Sequence, residues 1–189
     1  MTDTTDTTDS TEILAWWFAP KDRRLGYGDG RPIVVGEALT VEGEPVLCEH
    51  GLHASKRLID ALNYAQSPML HRVRSGGRVV HGTDKCAATE RTVLWTMDCT
   101  NILCAFARHC ALDAITVSRW EAPSVVMAYL MSGRKDLREA AKAAALDAAR
   151  AAAEDAARDA AWDAQNVRLT EMVMTAAREM KITEEVLSC

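Results

Sequence analysis

The spacing of apolar residues divides the chain into a front half with strand-like runs and a back half with a helical period. Short apolar or alternating runs, bounded by glycine and proline, occupy residues 13–97 and are typical of strands. After that point apolar residues recur every three or four positions, which predicts helices. The pattern therefore predicts an α+β protein: a small mixed sheet domain over 12–97, followed by an all-helical, alanine-rich domain over 98–189. Residues 1–11, with three Asp and no Lys or Arg, predict a disordered lead-in.

Within the front half, the runs predict several short strands and one helix. The helix is predicted over 55–65, because Leu58, Ile59 and Leu62 fall on one helical face, and Ser55 is placed as its N-cap. Gly76-Gly77, between two strand-like runs, predicts the turn of a hairpin. The predicted strands are 13–18, 33–35, 38–41, 46–48, one on each side of Gly76-Gly77, and 92–97.

The back half is predicted to hold a helix ending near Ile115, a short helix between Pro123 and Gly133, and a long alanine-rich helix. No glycine or proline occurs from Asp136 to Lys181, so the long helix is predicted over about 136–181, either unbroken or divided near Asn166. A four-residue repeat distributes its charged residues around the helix and leaves narrow apolar stripes. Such stripes favour close packing on the same chain or a homodimer, with Trp162 near the contact.

Composition and charge narrow the functional classes. No run reaches the roughly 20 apolar residues that cross a bilayer, and the first residues lack the apolar core of an export signal. The six cysteines are therefore expected to be reduced, in a cytoplasmic protein. The net charge of −5 argues against general nucleic-acid binding. No membrane partner is expected.

A local basic set stands out in this acidic chain. Residues 56–91 hold seven Lys or Arg against three Asp or Glu. Arg72 and Arg74 alternate on one face of a predicted strand, and Arg78 follows after the predicted turn. Two interpretations stay open: an ordinary solvated face, or a partner-binding surface for an acidic protein patch or a nucleic-acid-binding complex. Trp162 is the other partner-binding candidate.

The remaining motifs do not predict a cofactor or metal site. Cys48, His50 and His53 have the spacing of half a zinc site, but no second pair of ligands follows. The glycines between Gly26 and Gly30 lack the Lys-Ser/Thr of a phosphate-binding loop and are interpreted as turn residues. Cys99 and Cys110 are interpreted as small core residues on one helical face.

Three segments and the alanine-rich tail resemble a family of uncharacterised phage and prophage proteins that carry a domain of unknown function. The segments are AWWFAPKDRRLGYGDGRPIVVGEALTV, PVLCEHGLHASKRLIDALNYA and DKCAATERTVLW. The resemblance implies a phage-derived accessory protein. We expect it to bind and inhibit a host protein, such as a CRISPR effector or another component of a defence system.

A second resemblance concerns the segment GLHAS at 51–55, the helix ending in ALNYA, and the alternating strand that follows. They are similar to the second block of the ADP-ribosyltransferase fold. The resemblance implies His53 and Ser55 at the nicotinamide end of an NAD pocket, with Glu90 as the nearby acid. An enzyme of this type, with NAD as cofactor, is the alternative function; a self-associating structural protein is a second. No Gln-x-Glu or Glu-x-Glu motif follows, which favours the binding protein.

Overall fold

A computed structural model describes most of the chain. The predicted lead-in at 1–11 and the centre of the predicted alanine-rich helix lie outside the described residues. Of the described residues, those from 12 to Thr100 and from Leu169 to 182 form one compact unit, and those between Asn101 and Arg168 form a second. The predicted domain limits, 12–97 and 98–189, stay a prediction. The described residues are 12–26, 28–149 and 158–182, with side chains described except at 146–149 and 158–160.

The first unit is built on a five-stranded sheet, and the α+β class is confirmed. The strand order is β1-β4-β5-β2, with β3 also paired to β5, and all the named strands pair antiparallel. One isolated bridge, between Val35 and Val93, is parallel. A short helix, α1 (Leu58–Asn63), packs against β1. The strands are β1 (Ile13–Ala19), β2 (Ala38–Thr40), β3 (Leu52–Ala54), β4 (Met69–His81) and β5 (Cys86–Asp98).

The sheet closes on itself at one end. The residue after β3, Ser55, pairs with Trp16 of β1: the Trp16 N–H donates to the Ser55 carbonyl at 2.7 Å, and the Ser55 N–H donates back at 2.9 Å. Strands β1, β4, β5 and β3 thus form a ring of paired backbone. The prediction of Ser55 as a helix N-cap is wrong, because its backbone continues the sheet; Arg57 occupies the N-cap position.

Strand β4 runs without a turn through Gly76-Gly77, so the hairpin predicted there is wrong. The pairing with β5 shifts by one residue between Gly76 and Val79, which marks a β-bulge. Gly77 adopts the left-handed φ of 69°, and the Arg78 N–H donates to Thr89 Oγ1 at 2.9 Å. The chain reverses instead after β4, where the Gly82 N–H donates to the Lys85 carbonyl at 2.8 Å.

Gly77→Ala is expected to destabilise the protein by about 1–3 kcal/mol, since a side chain is strained at this φ. A Cβ at position 77 would also lie 2.2 Å from Thr89 Oγ1. Gly26→Ala is the matched control, because a Cβ there meets nothing within 4 Å. Urea denaturation of both variants checks the difference; equal stability would contradict the strain.

Two of the predicted strands are isolated bridges. Val35 of the predicted strand 33–35 bridges only to Val93, and Val46 of 46–48 bridges to His50. Cys48 has a φ of 68°, which an extended strand does not allow. These runs are too short to form ladders. Some of their backbone groups form hydrogen bonds within tight turns instead of with a neighbouring strand.

The two faces of the sheet are buried by different residues. On one face, Val73 and Val93 are fully buried in a core that includes Leu25 and Ile33, from the segment between β1 and β2. A separate aromatic pair, Trp16 and Trp95, packs edge to face with ring centroids 5.7 Å apart. Burial of apolar surface on both faces stabilises the sheet.

The rest of the described chain is helical. The short helix predicted between Pro123 and Gly133 is present, and Gly133, with φ of 67°, ends it by donating its N–H to the Tyr129 carbonyl at 2.7 Å. A 3₁₀ turn (Lys135–Leu137) precedes α4. Residues 150–157, between α4 and α5, lie outside the described residues. The choice between one long helix and two therefore stays a prediction. The helices are α2 (Thr100–Ser118), α3 (Ser124–Ser132), α4 (Arg138–Ala149) and α5 (Arg158–Glu179).

Among the helices that the structure describes, none combines the length and the apolar character required to cross a membrane.

Candidate functional site

Arg72, one of the predicted partner-binding residues, is partly buried against the sheet. Its Cζ is 4.3 Å from the centroid of the Trp16 ring, a cation–π contact. Trp16 is only 4% exposed, and burial lowers the pKa of Arg72. The Arg72 guanidinium therefore covers an aromatic side chain of the sheet.

Arg74 and Arg78 also have partners within the chain. Arg74 forms an ion pair with Glu12 at 3.5 Å. Arg78 pairs with Glu44 and donates to the Gly43 carbonyl at 2.6 Å. Intramolecular acids thus offset part of the basic set, and a role for these arginines in binding stays a prediction.

The residues carried over from the ADP-ribosyltransferase resemblance occupy separate positions. His53 Nε2 accepts the Cys48 N–H at 3.0 Å, which leaves the ring proton on Nδ1, and burial lowers the pKa of His53. Ser55 is 2% exposed. Glu90 lies in β5, paired in register with Thr40. Within the described part of the chain, no hydrogen bond or ion pair joins the side chains of His53, Ser55 and Glu90.

The two histidines of the half zinc motif, His50 and His53, form hydrogen bonds with backbone groups. The His50 Nε2–H donates to the Glu42 carbonyl at 2.6 Å, and His53 receives the Cys48 N–H. Across residues 12–26, 28–149 and 158–182, no group of three or more His, Cys, Asp or Glu side chains could hold a metal ion.

Trp162, the other partner candidate, is half-buried on α5.

The least expected feature of the first unit is a buried arginine in the middle of β5. Arg91 is 2% exposed and stands opposite Ser75 of β4. Its Nη1 donates to the His53 carbonyl at 2.8 Å, and its Cζ lies 3.6 Å from the centroid of the Trp17 ring. Its Nε has no hydrogen-bond partner. The guanidinium is thus fixed in orientation with one donor unsatisfied.

His71 lies beside the same tryptophan. Its ring centroid is 5.3 Å from that of Trp17, it is 1% exposed, and both of its ring nitrogens lack a hydrogen-bond partner. Burial, followed by the positive charges of Arg91 and Arg23, lowers the pKa of His71 to about 4. The imidazole is therefore neutral at pH 7, with one nitrogen as a donor and the other as an acceptor.

Two further polar side chains complete this group, the Arg91 cluster, defined as Trp17, His71, Ser75, Cys86 and Arg91. Ser75 is fully buried, and its Oγ has no nitrogen or oxygen partner but hydrogen-bonds the Cys86 thiol. The Cys86 thiol contacts the Ala54 carbonyl at 3.3 Å, and burial raises its pKa, so it stays neutral.

The Arg91 cluster holds a positive charge without a paired carboxylate. Burial lowers the pKa of Arg91 to about 9, which leaves the guanidinium protonated at neutral pH. No Asp or Glu of the described chain forms an ion pair with it. Buried charges are normally paired, because leaving water is costly. The cluster is therefore the strongest candidate for a ligand site on the first unit.

Sequence reasoning missed this cluster although one signal was present. In the run MLHRVRS, His71, Val73 and Ser75 share the face opposite Arg72 and Arg74. The sequence shows this alternation but not which face is buried. In the sequence, Arg91 is one of the seven basic residues at 56–91. Its burial follows from the register that places it opposite Ser75, and this register depends on bulges in the hairpin.

A family comparison finds a match over part of the chain. Residues 29–105 match the profile of a domain of unknown function, DUF7666. The matched stretch contains β2 to β5 and therefore His71, Ser75 and Arg91, whereas Trp17 lies before it. No curated protein and no solved structure matches the chain.

Proposed function

We propose that the chain is an accessory protein that acts by binding another protein, and that the second unit provides the contact surface. The observation that supports this proposal is exposed apolar surface on its helices. Phe106 is the buried residue of the 19-residue α2, and Val126 that of α3. Val117 and Met131 are 71% and 74% exposed. Protein-binding surfaces commonly include exposed apolar side chains of this kind.

The basic set is the weaker candidate for the contact. Arg72 covers Trp16, while Arg74 and Arg78 pair with glutamates of the same chain. A partner would have to compete with these contacts, and exposed ion pairs contribute little free energy. Any role of these arginines is therefore in steering association rather than in affinity.

The resemblance to phage proteins supplies the class of partner. We propose a host protein in the cytoplasm, such as a CRISPR effector or another component of a defence system. We also retain the proposal of an all-helical, alanine-rich domain over 98–189, supported by the helices α2 to α5. The enzymatic alternative would require His53, Ser55 and Glu90 to act together. In the described residues, none of their contacts supports it.

Two glutamate substitutions test the proposed surface. Val117→Glu and Met131→Glu are each expected to weaken partner binding about tenfold or more, because a charge replaces an apolar contact. The melting temperature should stay unchanged, since both side chains are exposed. Val34→Glu, at a residue of the first unit that is 40% exposed, is the control and should bind normally.

The partner is first identified by a photo-crosslinking residue at position 131 in infected host cells, followed by mass spectrometry. Titration of the purified partner with each variant then measures affinity. Unchanged affinity in both glutamate variants would remove the second unit as the contact. Crosslinks only to a second copy, with a mass twice the 20.7 kDa of the chain in solution, would support self-association instead.

A further inference from the structure

We propose that the Arg91 cluster binds a small oxyanion, the phosphate or carboxylate group of a ligand, through Arg91, His71 and Ser75. These three side chains are at least 98% buried, and each carries a polar atom with no nitrogen or oxygen partner within the described part of the chain. This function is separate from protein binding by the second unit, so either proposal can fail alone.

His71 and Arg91 lie against one aromatic ring, that of Trp17, and Ser75 lies on the same face of the sheet, opposite Arg91. Trp17 is paired in register with His71, and Ser75 with Arg91. His71 and Ser75 are four residues apart in β4 and therefore point to the same side. The Trp17 ring contacts both the His71 ring and the Arg91 guanidinium. A ligand group beside this ring would be within reach of His71 and Arg91, and Ser75 stands opposite Arg91 in the register.

Arg91 supplies the charge that selects an anion. Guanidinium groups bind carboxylates and phosphates through paired N–H donors. Here Nη1 is used by the His53 carbonyl and Trp17 fixes the plane, whereas Nε has no partner. The guanidinium is thus held in place with a donor left for a ligand. An anion would also offset the buried positive charge.

His71 and Ser75 add neutral donors. A neutral imidazole offers one N–H, and the hydroxyl of Ser75 offers another hydrogen. Outside the cluster, the exposed Arg23 adds a second positive charge near His71. The segment that carries Arg23 also packs on this face through Leu25 and Ile33. The exposed Arg23 therefore adds to the positive potential near His71, which favours an anion there.

The test is a titration of the purified full-length chain with sodium phosphate and, separately, sodium acetate. Sodium chloride holds the ionic strength constant. We expect one of the two anions to raise the melting temperature in a saturable way, and the responding anion identifies the group. Arg91→Met should weaken this response about tenfold or more. Arg72→Met is the matched control, because Arg72 also stacks on a buried tryptophan, and it should keep the response.

A second variant decides the matter if Arg91→Met does not fold. Ser75→Ala removes a buried hydroxyl whose side-chain partner is the Cys86 thiol, a weak hydrogen-bonding group, so the anion-free protein should keep a melting temperature close to that of wild type. Its response to the anion should nevertheless be reduced. The proposal is overturned if neither anion gives a saturable response in wild type. It is also overturned if Ser75→Ala responds like wild type, or if Arg72→Met loses the response as fully as Arg91→Met.

Discussion

Trp16→Ala is expected to destabilise the protein by about 3–5 kcal/mol, the usual cost of removing a large buried aromatic side chain. Trp16 is 4% exposed, packs edge to face on Trp95, and lies under the Arg72 guanidinium. The substitution leaves a cavity in the sheet, and the Arg72 guanidinium loses the ring on which it stacks. Urea denaturation followed by circular dichroism measures the loss.

Two controls separate packing from general sensitivity. Trp16→Phe keeps an aromatic ring and should recover most of the lost stability. Val34→Ala removes a side chain that is 40% exposed and should change stability by less than about 0.5 kcal/mol. A loss of less than about 1 kcal/mol in Trp16→Ala would show that the two tryptophans do not support the sheet.

Stability is expected to fall by about 3 kcal/mol as the pH decreases from 6.5 to 4, through His71 alone. Burial, with Arg91 and Arg23, lowers the pKa of His71 in the folded state to about 4, while the unfolded chain has the ordinary value near 6.5. Between these values the unfolded chain binds the extra proton, so acid favours unfolding. Above pH 6.5 this contribution is constant.

Substitution of His71 isolates this effect from other titrating groups. His71→Leu should flatten the fall in stability between pH 6.5 and 4, because the side chain can no longer take up a proton. His109→Gln, which replaces an exposed histidine of α2, is the matched control variant. Chemical denaturation at several pH values measures both. The same acid slope in His71→Leu as in wild type would contradict the role of His71.

The elements with a strong local signal could be predicted from the sequence. The run ILAWWF predicts β1, and the structure places it at Ile13–Ala19. Pro123 and Gly133 bound α3 as expected, because proline suits a helix start and glycine adopts the left-handed conformation at the end. In both cases the information is contained within a few neighbouring residues.

The elements that depend on distant residues could not be predicted. Gly76-Gly77 has the local appearance of a turn, but the Thr89 hydroxyl satisfies the Arg78 N–H and lets β4 continue. Ser55 has the appearance of an N-cap, but Trp16, 39 positions earlier, takes its backbone hydrogen bonds. Tertiary pairing here overrides local preference.

The candidate site illustrates the same limit. Arg72 and Arg91 are both arginines in alternating segments, and composition gives no reason to treat them differently. The structure separates them: Arg72 keeps contact with solvent, whereas Arg91 is 2% exposed. Burial of an arginine depends on register, and bulges near Val73 and Val79 set the register of the β4–β5 hairpin.

The closed ring of strands has a consequence for the order in which the chain folds. Strands β4 and β5 are neighbours in sequence, so their pairing closes a short loop at little entropic cost. Strand β1 must find β4 across a much longer separation, with Ile13 paired to Ser75. The Trp16–Ser55 bridge is a single pair of hydrogen bonds, so we expect it to form only after β1 and β3 have docked on the hairpin. We therefore expect folding to begin at the β4–β5 hairpin, with closure of the ring as a late and slow step.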